Sequence, residues 1–100
     1  MKMVSFRIRR QYFDKIVSGE KKAEIRSNTN FWRKRLFDPQ PDVAVFVCGK
    51  EVHRRYITNV FIEHPETYLK RPLSNQGSKD IYTDLSIITE LGEAMNDKTM

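Results

Sequence analysis

The hydrophobic period of this chain changes at Gly19. Before it, Tyr12, Phe13, Ile16 and Val17 form the two-wide stripe of a short amphipathic helix over residues 10–18, with Asp14 and Lys15 on its wet side. After it, apolar and charged residues alternate from Lys21 to Arg26, as in a strand. Glycine takes the left-handed conformation that stops a helix without steric cost, so residues 16–26 read as a helix-to-strand junction. On a regular strand Ala23 and Ile25 face inward, while Lys22, Glu24 and Arg26 share the opposite face. Such a row lets Glu24 hold both neighbours through charge-assisted hydrogen bonds. On an open sheet face it is simply solvated and contributes little.

The rest of the pattern builds outward from this junction. Val4, Phe6 and Ile8 alternate with Ser5, Arg7 and Arg9, which predicts a half-buried first strand with both arginines pointing away from the core. Ser27-Asn28-Thr29-Asn30 offers several N-caps for a second helix through Phe31-Trp32-Arg33-Lys34-Arg35-Leu36-Phe37, closed by Asp38-Pro39-Gln40-Pro41-Asp42. The valine-rich run Val43 to Cys48 predicts a central strand covered on both faces. Gly49-Lys50 then suits a hairpin turn into a long strand from Glu51 to Glu63. That strand has apolar residues of both parities, which predicts a bend or twist serving two parts of a curved sheet. Pro65 suits the first turn of a short helix limited by Pro72. Residues 74–80 read as an exposed loop. Ile81 to Leu91 fits helix or strand, and a strand there closes the sheet. The order strand, helix, strand, helix, hairpin, short helix, strand gives an α+β fold with a mostly antiparallel, barrel-like sheet and two or three short flanking helices. One domain covers residues 1–91, and the polar residues 92–100 read as a flexible tail.

Composition narrows the function classes. With 39% hydrophobic residues in a chain of 100, there is enough apolar material for one core. The single Cys48 excludes an internal disulfide framework, and the two histidines, His53 and His64, are not spaced as zinc ligands. No metal and no cofactor is expected. No apolar run approaches the roughly 20 residues that span a bilayer, so a soluble, cytoplasmic protein without membrane partners is expected. The net charge of +5 is unevenly spread. Residues 1–37 carry 11 basic and 3 acidic side chains, net +8, whereas the remainder carries net −3. A positive field concentrated in one third of the chain favours a polyanionic partner, and its plain alternative is charge that only keeps the domain dispersed.

The run Gly19-Glu20-Lys21-Lys22-Ala23-Glu24-Ile25-Arg26 resembles the G-x-K-x-x-E-x-R signature of ASCH domains, and the preceding Phe13 to Ser18 resembles that family's helix. The resemblance implies a small PUA-like β-barrel with a pocket near the motif for RNA or a modified nucleobase. Some relatives are hydrolases, acting on acylated cytidine or on RNA. Lys21 aligns with the lysine that the amidohydrolase branch uses in catalysis. Where that branch has a threonine three residues later, this chain has Glu24, as most ASCH domains do.

Three functions follow as expectations. The first is an RNA-binding or other nucleic-acid-binding module, with Arg7, Arg9, Lys21, Lys22 and Arg26 around a groove and Trp32, Arg33, Lys34 and Arg35 extending it. Cations there neutralise phosphates and Trp32 stacks on an unpaired base. The second is a small hydrolase of RNA or a modified nucleoside, with Lys21 as base or nucleophile, Glu24 as orienting or proton-shuttling group and Arg26 holding substrate. Lys21 and Glu24 lie on opposite faces of a regular strand, so their cooperation requires a twist or bulge. The third is a regulatory domain with an unidentified protein partner, in which these three residues only stabilise the junction.

Overall fold

The computed structural model describes residues 1–70 and 85–95. Its elements run β1 (Met3–Arg7), α1 (Arg10–Ser18), β2 (Ala23–Ser27), α2 (Asn30–Phe37), β3 (Val43–Cys48), β4 (Glu51–Glu63), α3 (Pro65–Leu69) and β5 (Ser86–Ala94). The five strands form one mixed sheet in the order β1-β3-β4-β5-β2, with β1 parallel to β3 and the other three pairings antiparallel. The sheet curls into a half-barrel, and the described residues add three helices. The expected loop at residues 74–80 and the start of the Ile81–Leu91 element lie outside the described residues. From Ser86 onward that element is a strand, and it continues through Ala94. Met95 N still donates to Arg54 O at 2.8 Å, so Gly92, Glu93 and Ala94 belong to the sheet and not to a tail.

Local chemistry sets the element ends. Gly19 takes φ 85° and its N–H donates to Ile16 O, closing α1. Thr29 caps α2 by accepting a hydrogen bond from Trp32 N at 3.3 Å. Gly49 turns the β3–β4 hairpin at φ 61°, a conformation glycine adopts without Cβ strain. Pro65 opens α3, where its missing N–H costs nothing.

The core lies in the concavity. Val4 and Phe6 from β1, Ala44 and Phe46 from β3, Val60 from β4 and Ile87 from β5 bury their side chains there, closed over by Phe13 and Ile16 of α1 and Leu36 of α2. β4 changes face along its length. Its residues His53 and Arg55 stand opposite Phe46 and Ala44, but two register shifts between Arg55 and Asn59 bring Val60 and Ile62 opposite Thr89 and Ile87. This is the physical content of the mixed parity: the inner face passes from odd to even residues across the irregularity. β4, not β3, is the middle strand. β3 is covered on both faces at Val43 and Ala44, while Val45 and Val47 are half-buried. A second apolar layer lies on the outer face of β5. There the buried Ile88 stands between its neighbours Ile25 and Phe61, and Tyr68 of α3 lies 5.7 Å from Phe61.

Candidate functional site

Pairing of β2 with β5 decides where the charged motif points. Glu24 lies opposite Thr89 and Arg26 opposite Ile87, so both share the inner face with Val60 and Ile87. Ala23 and Ile25 therefore take the outer face, which the α3 layer covers. This reverses the side expected from alternation alone. The acid is placed inside because its charge is met there: Glu24 is 6% exposed. A buried carboxylate requires compensation of that kind.

Two cations supply it. Lys21 Nζ donates to Glu24 Oε1 at 3.0 Å, and Arg26 Nε donates to Glu24 Oε2 at 2.7 Å. Lys22, expected in this row, is exposed, and its place is taken by Lys21. The substitution follows from where the strand begins. Gly19 turns the chain, Lys21 N bonds to Lys15 O at 2.9 Å, and β2 starts only at Ala23. Lys21 therefore lies in a turn, and its ammonium reaches both Glu24 and the carbonyl of Ala23. The opposite-face constraint of a regular strand does not apply to it.

Arg26 is held by four neighbours. Besides Glu24, its Nη2 donates to Arg7 O at 3.2 Å, and its guanidinium lies 5.2 Å from the Phe6 ring centre and 5.1 Å from that of Trp32. Phe6 and Trp32 are themselves stacked at 5.2 Å, and Phe6 stacks on Phe46 at 5.5 Å. The bond to Arg7 spans β2 and β1, the two edges of the sheet, so Arg26 closes the seam of the half-barrel. The side chains of Lys21 and Arg26 each remain 24% exposed against 8% for Glu24. The cluster thus carries one net positive charge, with its carboxylate below and its two cations reaching solvent.

The other expected residues separate into two groups. Trp32 joins the cluster but is half-buried against Phe6, so it serves as a wall of the site and not as an open stacking face. Arg33 is committed to the loop before α2, donating to Asn28 O at 3.1 Å, to Asn28 Oδ1 at 2.8 Å and to Asn30 Oδ1. Arg7, Arg9, Lys22, Lys34 and Arg35 are exposed. Three contributors carry no sequence signal beyond their place in a strand. Phe6 reads as an ordinary core residue yet lies under Arg26. Arg55 binds Gly92 O at 2.9 Å and Ile16 O at 3.0 Å, tying β4 and β5 to the end of α1. Thr89 is fully buried, and its Oγ1 makes no hydrogen bond among the described residues.

A second charged group lies away from this face. Arg10 pairs with Asp14 at 3.3 Å and with Glu51, beside a shallow cleft lined by Phe13, Asp14, Val17, Glu51, Val52 and His53. The hydrogen bond from Arg10 holds the Glu51 carboxyl below its ordinary value. Among the described residues no group of three or more His, Cys, Asp or Glu side chains could hold a metal ion, and no helix is long and apolar enough to cross a membrane. Glu63 and Glu66 lie at the β4–α3 junction. No family model, curated protein or solved structure matches the chain.

Proposed function

We propose that this protein is an ASCH-like, RNA-binding domain whose half-barrel is a small PUA-like barrel and whose RNA contact centres on Lys21 and Arg26. The observation that carries this reading is the buried Glu24, which holds two partly exposed cations at fixed positions on the mouth of the curled sheet. Cations held in place before binding lose little side-chain entropy when they meet a phosphate, so more of the contact energy appears as affinity. Arg26 has Glu24 and the Arg7 carbonyl on two of its nitrogens, while Nη1 makes no hydrogen bond among the described residues. Lys21 has given hydrogens to Glu24 and to Ala23 O, an arrangement suited to a fixed ammonium donor more than to a free amine base or nucleophile. Exposed Arg7, Arg9 and Lys22, next to the cluster in the chain, add to the positive field that draws a polyanion in.

The test is a titration with short single-stranded RNA, single-stranded DNA and duplex RNA at two salt concentrations, with the RNA sized afterwards. Binding to RNA should weaken as salt rises. Lys21→Ala should weaken it further and lower the salt slope by about one phosphate contact. Absence of binding at low salt would sink the proposal and turn attention to a protein partner. RNA shortened in a Lys21-dependent way would replace it with the hydrolase reading.

A further inference from the structure

The half-burial of Trp32 leaves the stacking role to its neighbour. Phe31, in the first turn of α2, has 53% of its surface exposed. Two contacts hold it rigid. Its ring meets Trp32 edge-on, with centres 5.0 Å apart and planes at 84°. Arg35, one turn further along the helix, places its guanidinium carbon 3.5 Å from the Phe31 ring centre, and its Nη1 donates to Phe31 O at 3.2 Å. An exposed phenylalanine with a perpendicular ring beside it and a guanidinium over one face is a flat surface held in place before a base arrives. The helix that carries it is charged with one sign. α2 contains Arg33, Lys34 and Arg35 and no acidic residue. Arg33 is held by Asn28 and Asn30, but Lys34 forms no ion pair among the described residues.

We propose that Phe31, with Arg35 stacked on it, is a platform for an unpaired base of single-stranded RNA, and that Lys34 takes an adjoining phosphate. The proposal rests on the RNA-binding reading above and adds to it which form of RNA is bound and by which ring. Every base has a π-face, so a Phe31–Arg35 platform accepts bases without reading their identity. A duplex hides its base faces and offers this platform only phosphates. The observations favour this occupant over a protein surface because the exposed ring stands on a helix with three cations and no acidic side chain.

The experiment compares the parent chain with Phe31→Leu and Phe31→Tyr. Each is titrated with a short oligouridylate, with the same strand lacking its bases, and with duplex RNA. Leucine keeps the apolar bulk, and the site is exposed, so the melting temperature should stay unchanged. Phe31→Leu should weaken oligouridylate binding roughly tenfold and leave the base-free strand and the duplex alone, while Phe31→Tyr should restore parental affinity. Trp32 is the chain's single tryptophan, so its emission should change when oligouridylate binds the parent and change less with Phe31→Leu. Equal oligouridylate binding by the parent and Phe31→Leu would overturn the platform and leave the RNA-binding reading intact. Equal losses on all three probes would overturn it in favour of a phosphate contact alone. A parental dimer that Phe31→Leu dissolves would overturn it in favour of contact between copies. Failure of the parent to bind any probe at low salt would instead overturn the RNA-binding reading.

Discussion

Two three-membered charge clusters in this molecule use the same chemistry in opposite surroundings. In one, Glu24 lies between Lys21 and Arg26, with side-chain exposures of 8%, 24% and 24%. In the other, Arg10 lies between Asp14 and Glu51, with exposures of 53%, 62% and 56%. Burial removes water's competition for the first cluster's hydrogen bonds and makes an unpaired Glu24 costly, so its geometry is held. The second exchanges its bonds with solvent at little cost. An ion pair drawn on a sequence therefore says nothing about its worth until the face it occupies is known. The inner cluster also rests on aromatic rings, which the outer one does not share except for the Arg10 contact with Phe13 at 5.4 Å.

The largest effect should come from breaking the inner cluster at its centre. Glu24→Ala leaves Lys21 and Arg26 with no carboxylate between them, and should lower stability by about 3 kcal/mol, discounted to the low end because both cations are partly wet. A thermal melt should then fall by more than about 10 °C. An unchanged melt would place the inner cluster in the same class as the outer one. Glu51→Gln removes one carboxylate charge from the outer cluster, and its melting curve should overlay that of the parent at low and at high salt. A clear loss would show that exposure does not separate the two clusters.

Tyr68 and Glu90 give an intermediate case, joined by a hydrogen bond of 2.8 Å on the half-buried outer face of β5. Burial first, and then the bond to Glu90, push the Tyr68 hydroxyl up from its ordinary value near 10 to about 12. The folded value is the higher one, so the contribution to stability is complete below about pH 10 and is lost as pH rises toward about 12. Ultraviolet titration of the four tyrosines should show one late step that Tyr68→Phe removes. Titration of all four together would place this pair with the solvated cluster.

Much of the architecture was readable because local chemistry settles it. The change of period at Gly19, the N-cap choices around Thr29, the hairpin at Gly49 and the double parity of β4 each follow from residues close together in the chain. The order of elements matches for the same reason. The faces of β2 were not readable, because alternation defines two faces but assigns neither to the core. That assignment came from β5, more than sixty residues away, and from α3, which covers the side that Ala23 and Ile25 occupy. Lys21 replaced Lys22 beside Glu24 because the turn after Gly19 delays the strand by two residues. That Trp32 packs on Phe6 while Phe31 stays exposed was not readable either, since neighbouring aromatics on one short helix are distinguished only by what packs on them. Arg55 gave no signal, because its partners are backbone carbonyls on two other elements.

Arg26 has a consequence for how this chain behaves in a crowd of its own copies. β1 and β2 are the only two sheet edges among the described strands, and an edge strand is where another chain adds by main-chain pairing. Here the side chain of Arg26 crosses from one edge to the carbonyl of Arg7 on the other, anchored by Glu24. A strand entering that seam has to displace a guanidinium from two oxygens and two rings, and then bury it unpaired. The cation proposed to meet a phosphate thus also stands in the way of a further strand at the sheet's two edges.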